Sequence, residues 1–369
     1  MNSKKTPLYS LHTELGARLT EFAGYEMPIQ YPGGIKEEHA QVRNRAGLFD
    51  ISHMGQIKIT GEKGAALIET LVTGDVSGLK INHQLYTVFT NTGGGIIDDL
   101  MITKLDSCLL LVVNAACRDR DLEYLITTIG HDCQVEEWLD RSLLALQGPQ
   151  AASVLRNHVP DIQRLGFMQA GQFKIDSIHC LVHRCGYTGE DGFEISVAAE
   201  DVEHLARLLL QHEMVGPVGL GARDSLRLEA GLCLYGQDLD ETISPVEAGL
   251  GWTVAHKYTG NSPVPAGFPG ADEILVQLQN GTGRTRTGIR PEGKIPVRKD
   301  TKLLNINGKE IGKISSGGFG PTLNGPLAMG YVESAYTAPG TELMVEIRDR
   351  VHKVLTASLP FVAHRYYKP

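Results

Sequence analysis

The chain has 369 residues, of which 42% are hydrophobic and 21% are charged, a balance typical of folded globular proteins and not of disordered ones. Its 35 Lys and Arg residues against 43 Asp and Glu residues give a net charge of −8, which disfavours general binding to nucleic acid. No apolar run approaches the roughly 18 residues that a membrane span needs, and no apolar stretch follows the two N-terminal lysines as in a signal peptide.

The first 250 residues alternate short apolar runs with helical stretches. Helices are predicted at 35–46, with Gly47 placed to end the helix, at 64–72 and from about residue 118 to 129. Strands are predicted at 55–60, at 86–90 and, after a glycine-rich turn, at 96–103 and 108–113. A later helix has one apolar stripe, made of Val202, Leu205, Ala206 and Leu209. Strands mixed with helices without a regular βαβ rhythm predict an α+β fold.

A domain boundary is predicted near residues 258–272, where three prolines and three glycines indicate an irregular connection. Beyond it, short strand-like runs are separated by turn signals such as Asn305-Ile-Asn-Gly308 and Ser315-Ser-Gly-Gly318. This pattern predicts a small all-β barrel or sandwich at the C-terminus. With a length typical of two or three domains, we expect a domain over 1–257, a linker region over 258–280 and a barrel over 281–369.

The six cysteines are thinly spread, and none forms a Cys-x-x-Cys pair. This spacing disfavours a zinc or iron–sulfur site and a disulfide scaffold, so we expect no metal. Reduced thiols fit a cytoplasmic location best.

The most unusual segment is a glycine turn that leads into a strand with two adjacent aspartates, Asp98 and Asp99. Neighbouring side chains of a strand point to opposite faces, so one of the two carboxylates lies among Ile, Leu or Met side chains. Desolvation raises the pKa of such a carboxylate and suits it to accept a proton. Alternation does not choose between the two residues, and both could instead be solvated beside the turn.

Two further segments carry candidate binding residues. After the Asp191-Gly192 turn, Glu194 lies on the strand face opposite Phe193, where it is either solvated or able to accept two parallel N–H bonds from the edge of a pterin. At the start of a predicted helix, Asp224 can pair with Arg227, which leaves Arg223 free either for solvent or for an anion. His53 is expected to make a structural hydrogen bond.

Taken together, these segments resemble the aminomethyltransferase family of the glycine cleavage system, the T-proteins, along nearly the whole chain. The ordered set of matching motifs carries the resemblance: Thr6-Pro-Leu-Tyr, Ala46-Gly-Leu-Phe-Asp-Ile-Ser-His-Met, Gly94-Gly-Ile-Ile-Asp-Asp-Leu, Val113-Asn114-Ala, Gly186-Tyr-Thr-Gly-Glu-Asp-Gly-Phe-Glu, Gly219-Leu-Gly-Ala-Arg-Asp-Ser-Leu-Arg and Ser315-Ser-Gly-Gly-Phe-Gly-Pro-Thr-Leu. The resemblance implies three subdomains around a central folate-binding hole. Two intertwined α+β subdomains form the first domain, and the third subdomain is the C-terminal β-barrel.

The resemblance also implies an activity. The family transfers the methylene carbon from the S-aminomethyl-dihydrolipoyl arm of H-protein to tetrahydrofolate, giving 5,10-methylenetetrahydrofolate, ammonia and dihydrolipoyl H-protein. Tetrahydrofolate is then the co-substrate, lipoylated H-protein is the partner, and the P- and L-proteins are functional partners. No nucleic acid and no membrane are expected as partners.

Residue by residue, the resemblance places the family's key aspartate on Asp99, as proton acceptor or electrostatic partner of the attacking amine. The folate contacts that it implies are Met54, Tyr86, Asn114, Tyr187, Glu194, Arg223 and Tyr366.

Two alternatives remain on the same scaffold. One is a folate-dependent demethylase of a small methylated amine or sulfonium compound, which needs no lipoyl carrier. The other is a folate-binding helper protein, which is marked by a Lys-Gly-Cys-Tyr-x-Gly-Gln-Glu stretch; the matching place here reads Arg184-Cys-Gly-Tyr-Thr-Gly-Glu-Asp, which lacks that signature.

Overall fold

The computed structural model describes residues 3–260, 263–347 and 350–369 of the chain. Over these residues it contains a three-stranded sheet, an 11-stranded sheet and a closed barrel of six strands. The expected α+β class is confirmed, and the choice between a C-terminal barrel and a sandwich is settled in favour of the barrel.

The elements of the first part of the chain alternate between helix and strand. The helices are α1 (Tyr9–Glu14), α2 (Gly34–Asn44), α3 (Gly64–Glu69), α4 (Arg118–Ile129), α5 (Ala151–Arg156), α6 (Val202–Leu210), α7 (Leu220–Glu229) and α8 (Ala271–Asn280). The strands up to α8 are β1 (Lys4–Lys5), β2 (Arg18–Phe22), β3 (Tyr25–Gln30), β4 (Ala46–Asp50), β5 (Gly55–Thr60), β6 (His83–Thr90), β7 (Ile96–Lys104), β8 (Leu109–Val113), β9 (Gln134–Glu137), β10 (Arg141–Gln147), β11 (Gln169–Ile175), β12 (Ile178–Arg184), β13 (Gly192–Ala198) and β14 (Val215–Pro217).

The barrel strands follow α8 along the chain. They are β15 (Arg284–Pro291), β16 (Lys302–Leu304), β17 (Glu310–Gly320), β18 (Gly325–Glu333), β19 (Glu342–Ile347) and β20 (Arg350–Ala357). The barrel closes in the order β15-β18-β17-β16-β19-β20, around a core that includes Ile289, Leu303, Ala328 and Val345. Closure gives each of the six strands a partner on both sides, although the three-residue β16 pairs with only part of β17 and β19.

The 11-stranded sheet runs in the order β14-β4-β10-β13-β12-β11-β6-β7-β8-β5-β9. Two apolar cores cover parts of it. One lies under α5 and α6 and includes Phe193, Val202 and Leu205, and the other lies under α3 and α4 and includes Leu100, Ile102 and Leu125. The stripe predicted for α6 is fully buried, as its spacing requires.

Helix α7 connects the three sheets. It packs against β3 of the small sheet, against α2, and against β17 and β18 of the barrel. Ala222 and Leu226 of α7 also share an apolar cluster with Phe49 on β4 and Leu143 on β10 of the large sheet. Residues that begin α7 therefore lie where the three parts of the fold meet.

Two local predictions differ from the structure. Gly47 does not end α2; it lies inside β4, where an added Cβ would come within 2.5 Å of Val42 and 2.6 Å of Val218. Within the expected linker region, α8 forms a ten-residue helix. Its preceding Gly270 adopts φ 74°, Asp272 and Glu273 lie in its first turn, and Ile274 is buried.

No helix in the described ranges has both the length and the apolar character needed to cross a bilayer.

Candidate active site

Asp99 lies on β7, where three adjacent strands of the large sheet bring its partners together. Tyr86 on β6 donates its phenolic hydrogen to Asp99 Oδ2, with an O–O distance of 2.9 Å. Asn114, directly after β8, donates from Nδ2 to Asp99 Oδ1 at 2.8 Å. Both carboxylate oxygens are thus held by hydrogen bonds, which fixes the orientation of the group.

The protein around Asp99 stabilises the protonated form of its carboxyl group more than water would. Burial, followed by the charge of Asp98, raises the pKa of Asp99 to about 7, although hydrogen bonds from Tyr86 and Asn114 act in the opposite direction. Asp99 is only half-buried, so part of the residue stays accessible. A carboxyl group with a pKa near 7 can accept a proton at neutral pH and release it again.

The structure distinguishes the two adjacent aspartates. Asp98 is fully buried and shares its face of β7 with Leu100, which belongs to the core under α4. Asp99 shares the opposite face with Met101. Asn114 Nδ2 reaches both carboxylates, since it also lies 2.9 Å from Asp98 Oδ1.

Glu194 lies on β13 and is 9% exposed. Burial raises the pKa of its carboxyl group, and the charge of Arg223 acts in the opposite direction. Its neighbour on the same strand face, Ser196, is fully buried, so this face is covered and not solvated. No ion pair of Glu194 with a cation occurs among the described residues. Glu194 therefore presents a desolvated acceptor that forms no direct ion pair among the described residues, while the charge of Arg223 acts on it from farther away.

Arg223 begins α7 and carries the complementary charge. Its Nη1 is buried and has no hydrogen-bond partner among the described residues, and its guanidinium lies 4.9 Å from the centroid of the Tyr187 ring. Burial lowers the pKa of Arg223, while the nearby charge of Glu194 raises it. By contrast, Arg227 donates to Asp224 at 2.9 Å and to Asp238 at 2.7 Å. Arg223 is thus the arginine of this pair with donor capacity left for an anion.

Tyr187 lies near both Asp99 and Arg223. Its ring is half-buried, its hydroxyl donates to the carbonyl oxygen of Cys233, and burial raises its pKa. The charges of Asp99 and Arg223 both act on Tyr187, so Tyr187 lies near both groups.

The two remaining predicted contacts supply apolar and aromatic surface. Met54 is half-buried and packs with Met101 and Val112 on the Asp99 side of the sheet. Tyr366, in the C-terminal tail, stacks on Phe167 with ring centroids 4.1 Å apart and an angle of 8° between the planes. Burial raises the pKa of Tyr366 to about 12, and the nearby Cys185 thiol adds to this rise. The tail therefore returns to the neighbourhood of Glu194.

His53 is buried against Phe22 and Tyr25, with its Nδ1 unpartnered among the described residues. Burial lowers the pKa of His53 to about 4, so its imidazole is neutral at pH 7. The structural hydrogen bond expected for His53 does not form at Nδ1.

Sequence reasoning missed two residues near Asp99. Trp252 is 68% exposed and its ring stacks on Tyr86 at 5.6 Å. Asp121 is fully buried on α4, on one stripe with Leu125 and Ile129. The spacing of 121, 125 and 129 is a helical i, i+4, i+8 series, which could have revealed a carboxyl group on the apolar face of α4. No comparable sequence signal identifies Trp252.

Comparison with known proteins places the chain in a family. Residues 8–258 match the GCVT N-terminal domain, and residues 284–363 match the glycine cleavage T-protein C-terminal barrel domain. Similar curated proteins include the mitochondrial aminomethyltransferases of Dictyostelium discoideum and Homo sapiens. Each is 42% identical over 99% of this chain, and the matches cover 94% and 91% of those proteins.

A solved structure is similar over the whole fold. It is the glycine cleavage system aminomethyltransferase T from Bartonella henselae, with a TM-score of 0.93, 42% identity and 99% of each chain covered. The chain therefore belongs to the glycine cleavage T-protein family of aminomethyltransferases.

Proposed function

We propose that this protein is the aminomethyltransferase of a glycine cleavage system. It moves the methylene carbon from the S-aminomethyl-dihydrolipoyl arm of H-protein to tetrahydrofolate and releases ammonia and dihydrolipoyl H-protein. The observation that supports this most directly is the half-buried Asp99, whose pKa is raised to about 7 by burial and the charge of Asp98. The fold also buries the carboxyl group of Glu194 and leaves Nη1 of Arg223 without a partner among the described residues. Full-length similarity to curated aminomethyltransferases supports the same activity.

The residues present fit tetrahydrofolate. A reduced pterin has an edge of N–H donors, which the desolvated carboxylate of Glu194 can accept in parallel. The buried, unpartnered Nη1 of Arg223 can pair with a carboxylate of the folate glutamate. Met54 and the tyrosines Tyr187 and Tyr366 provide apolar and aromatic surface, which suits a flat bicyclic ligand.

Tetrahydrofolate supplies the amine nitrogens that bond to the transferred carbon. Asp99 then acts on the attacking amine, either as proton acceptor or as the negative charge that balances the cation formed there. Tyr86 and Asn114 hold both oxygens of Asp99 in place, so the carboxylate needs no reorientation when a proton moves. The chain thus contributes position and charge more than covalent chemistry.

Lipoylated H-protein is the proposed donor of the aminomethyl group, with the P- and L-proteins as functional partners. The demethylase alternative would use a free small molecule, and the curated relatives do not favour it. We also propose a cytoplasmic location. The cysteines are all free thiols, five of them buried and one half-buried, and thiols stay reduced in the cytoplasm.

The test is tetrahydrofolate-dependent release of ammonia from aminomethyl-loaded H-protein. We expect turnover with the wild-type protein and loss of most turnover in Asp99→Asn, which keeps the shape of the side chain and removes its basicity. Asp106→Asn is the matched control, because Asp106 is an exposed turn residue after β7. Folate affinity should stay within a few-fold in both variants.

Near-normal turnover in Asp99→Asn would remove Asp99 from its proposed role. Demethylation of a free methylated amine without H-protein, in place of ammonia release, would favour the demethylase.

A further inference from the structure

The C-terminal tail, residues 358–369, follows the barrel and forms neither helix nor strand. It is held on the first domain by individual contacts instead. The backbone N–H of Arg365 donates to the carbonyl oxygen of Gly189 at 2.8 Å. The carbonyl oxygen of Tyr367 accepts from the backbone N–H of Phe167 at 2.9 Å. The tail is therefore attached to two different loops of the first domain.

The turn that binds the tail connects two residues of the candidate site. It comprises residues 188–191 and lies between Tyr187 and the strand β13, which carries Glu194. Tyr366 lies between the two bonded residues of the tail, and its ring stacks on Phe167. Attachment of the tail to this turn therefore sets where the ring of Tyr366 lies relative to the candidate site.

The side chain of Arg365 joins the tail to a buried carboxylate. This side chain is 52% exposed, yet its Nη2 donates to Oε1 of Glu190, whose side chain is 1% exposed. The same oxygen of Glu190 accepts from Nη1 of Arg43 at 2.8 Å. Arg43 also donates from Nη2 to Glu229 Oε2 at 3.0 Å, and His39 Nε2 lies 3.1 Å from that oxygen. Arg365 is thus the part of a buried ionic network that the tail supplies.

Charge balance explains why this contact holds the tail. Glu190 and Glu229 are both buried, and they share the guanidinium of Arg43. A buried carboxylate is costly unless a positive charge and hydrogen bonds compensate it. Arginines and carboxylates of this network reach equal number only when the tail is attached and Arg365 lies at Glu190.

We propose that Arg365 is a positioning residue for tetrahydrofolate, because it holds the C-terminal tail where the ring of Tyr366 lies against the ligand. This inference rests on the proposed function, which assigns Tyr366 to the folate site. The Nη2 of Arg365 is engaged by Glu190 and, at 3.3 Å, by the carbonyl oxygen of Arg43. Arg365 thus acts through Tyr366, without contact to the folate.

The first arm of the test is the affinity for tetrahydrofolate, measured by titration calorimetry without H-protein. Arg365→Met removes the guanidinium and keeps a long side chain, and it should weaken binding roughly 5-fold, as much as Tyr366→Ala does. Arg365→Lys keeps a positive charge at Glu190 and should restore most of the affinity. Lys368→Met, which removes a charge from an exposed position of the same tail, is the matched control and should bind as wild type does.

A double variant separates positioning from a general effect on stability. If Arg365 acts through Tyr366, its removal has no effect on affinity once the ring is absent. Arg365→Met combined with Tyr366→Ala should therefore bind tetrahydrofolate as tightly as Tyr366→Ala alone. Losses that add up in the double variant would contradict the inference, since Arg365 would then affect the ligand by another route.

The second arm needs no folate. It is amide hydrogen exchange in the tail of the ligand-free protein, where the amide at position 365 is protected by its bond to Gly189. Arg365→Met should speed exchange at this position about tenfold, whereas Lys368→Met should leave it unchanged. Exchange in the barrel strands should be the same in all three proteins, which shows that the variants are folded.

The two arms distinguish this inference from the proposed function. If attachment of the tail and folate affinity both depend on Arg365 while ammonia release is absent, the inference holds and the proposed function fails. If ammonia release is present and Arg365→Met binds folate as tightly as wild type, the proposed function holds and the inference fails. Equal exchange at position 365 in Arg365→Met and wild type would also overturn the inference, because the guanidinium would then not hold the tail.

Discussion

Tyr86 donates its phenolic hydrogen to Asp99 diagonally across two antiparallel strands. In the register of β6 and β7, Tyr86 pairs with Met101 and Val88 pairs with Asp99. The two side chains therefore lie on one face of the sheet, one pairing step apart, with Tyr86 OH 2.9 Å from Asp99 Oδ2. The exposed ring of Trp252 stacks on the other partner of this contact, Tyr86, with ring centroids 5.6 Å apart.

The first prediction concerns the pH dependence of turnover. A proton acceptor works in its ionised form, so ammonia release should rise with pH through the pKa of Asp99, with a midpoint of about 7. The hydrogen bond from Tyr86 lowers this pKa, and Tyr86→Phe should therefore move the midpoint upwards by about one pH unit. Initial rates between pH 5.5 and 9 measure the shift.

Tyr9→Phe is the control for that experiment, since Tyr9 belongs to α1 and forms no contact with Asp99. A midpoint that is the same in Tyr86→Phe and wild type would mean that Asp99 does not limit the acid side of the profile.

The second prediction concerns the buried carboxyl group of Glu194 and the unpartnered guanidinium nitrogen of Arg223. Glu194→Gln keeps one carbonyl acceptor but removes the negative charge of the carboxylate. Arg223→Gln removes the guanidinium and its unpartnered donor Nη1. Loss of a charged hydrogen bond costs about 1.5–3 kcal/mol, so each variant should weaken tetrahydrofolate binding about 10- to 150-fold. Titration calorimetry measures the affinity.

Matched controls are Glu200→Gln, on the exposed turn after β13, and Asp224→Asn, the exposed neighbour of Arg223. If Glu194→Gln binds as tightly as Glu200→Gln, the pterin does not lie against Glu194. An analogue that lacks the glutamate moiety should lose the difference between wild type and Arg223→Gln.

The third prediction separates the two tyrosines of the C-terminal tail. Tyr366 stacks on Phe167 near Glu194, whereas Tyr367 is 42% exposed and lies over the guanidinium of Arg184. Tyr366→Ala should weaken folate binding several-fold, through loss of aromatic contact worth roughly 1 kcal/mol, and Tyr366→Phe should restore most of it. Tyr367→Ala should leave the affinity unchanged. Equal losses in both alanine variants would indicate a general effect of tail detachment.

Much of this arrangement could be predicted from local patterns. The bounds of β5 and α4 agree with their periodicity, and the pairing of Arg227 with Asp224 follows from helical spacing. The alternative prediction that Glu194 is solvated is wrong. The face of β13 that carries Glu194 and Ser196 is covered by residues distant in the chain. A two-residue period shows that a strand has two faces, and it does not show what covers each face.

For the same reason, the alternation of residues along β7 could not show which of Asp98 and Asp99 is buried in the core. It depends on which face of β7 packs beneath α4, a contact that forms only when residues 118–129 fold back onto the sheet. The helix α8 was missed for a different reason, because the prolines at 263–269 dominate the composition of its surroundings. Its signals were nevertheless local: a glycine before the first turn and two acids within it.

The fourth prediction tests the protonated state of Asp121 through stability. In the unfolded chain an aspartate releases its proton near pH 4, whereas burial raises the pKa of the folded Asp121 to about 10. Between these values the folded protein holds one proton more than the unfolded chain, so the free energy of unfolding falls as pH rises. The slope for one proton is at most about 1.4 kcal/mol per pH unit.

Asp121→Asn removes this titration and keeps a neutral side chain of similar size. Its free energy of unfolding relative to wild type should therefore rise between pH 6 and pH 8 by up to about 2.7 kcal/mol. Asp99 titrates in the same range in both proteins, so its contribution cancels in the difference. Urea denaturation at several pH values measures the effect, and Asp119→Asn, at an exposed acid in the same turn, should give a constant offset. Parallel curves for Asp121→Asn and wild type would mean that the folded protein holds no extra proton at Asp121, because only such a proton makes the difference depend on pH.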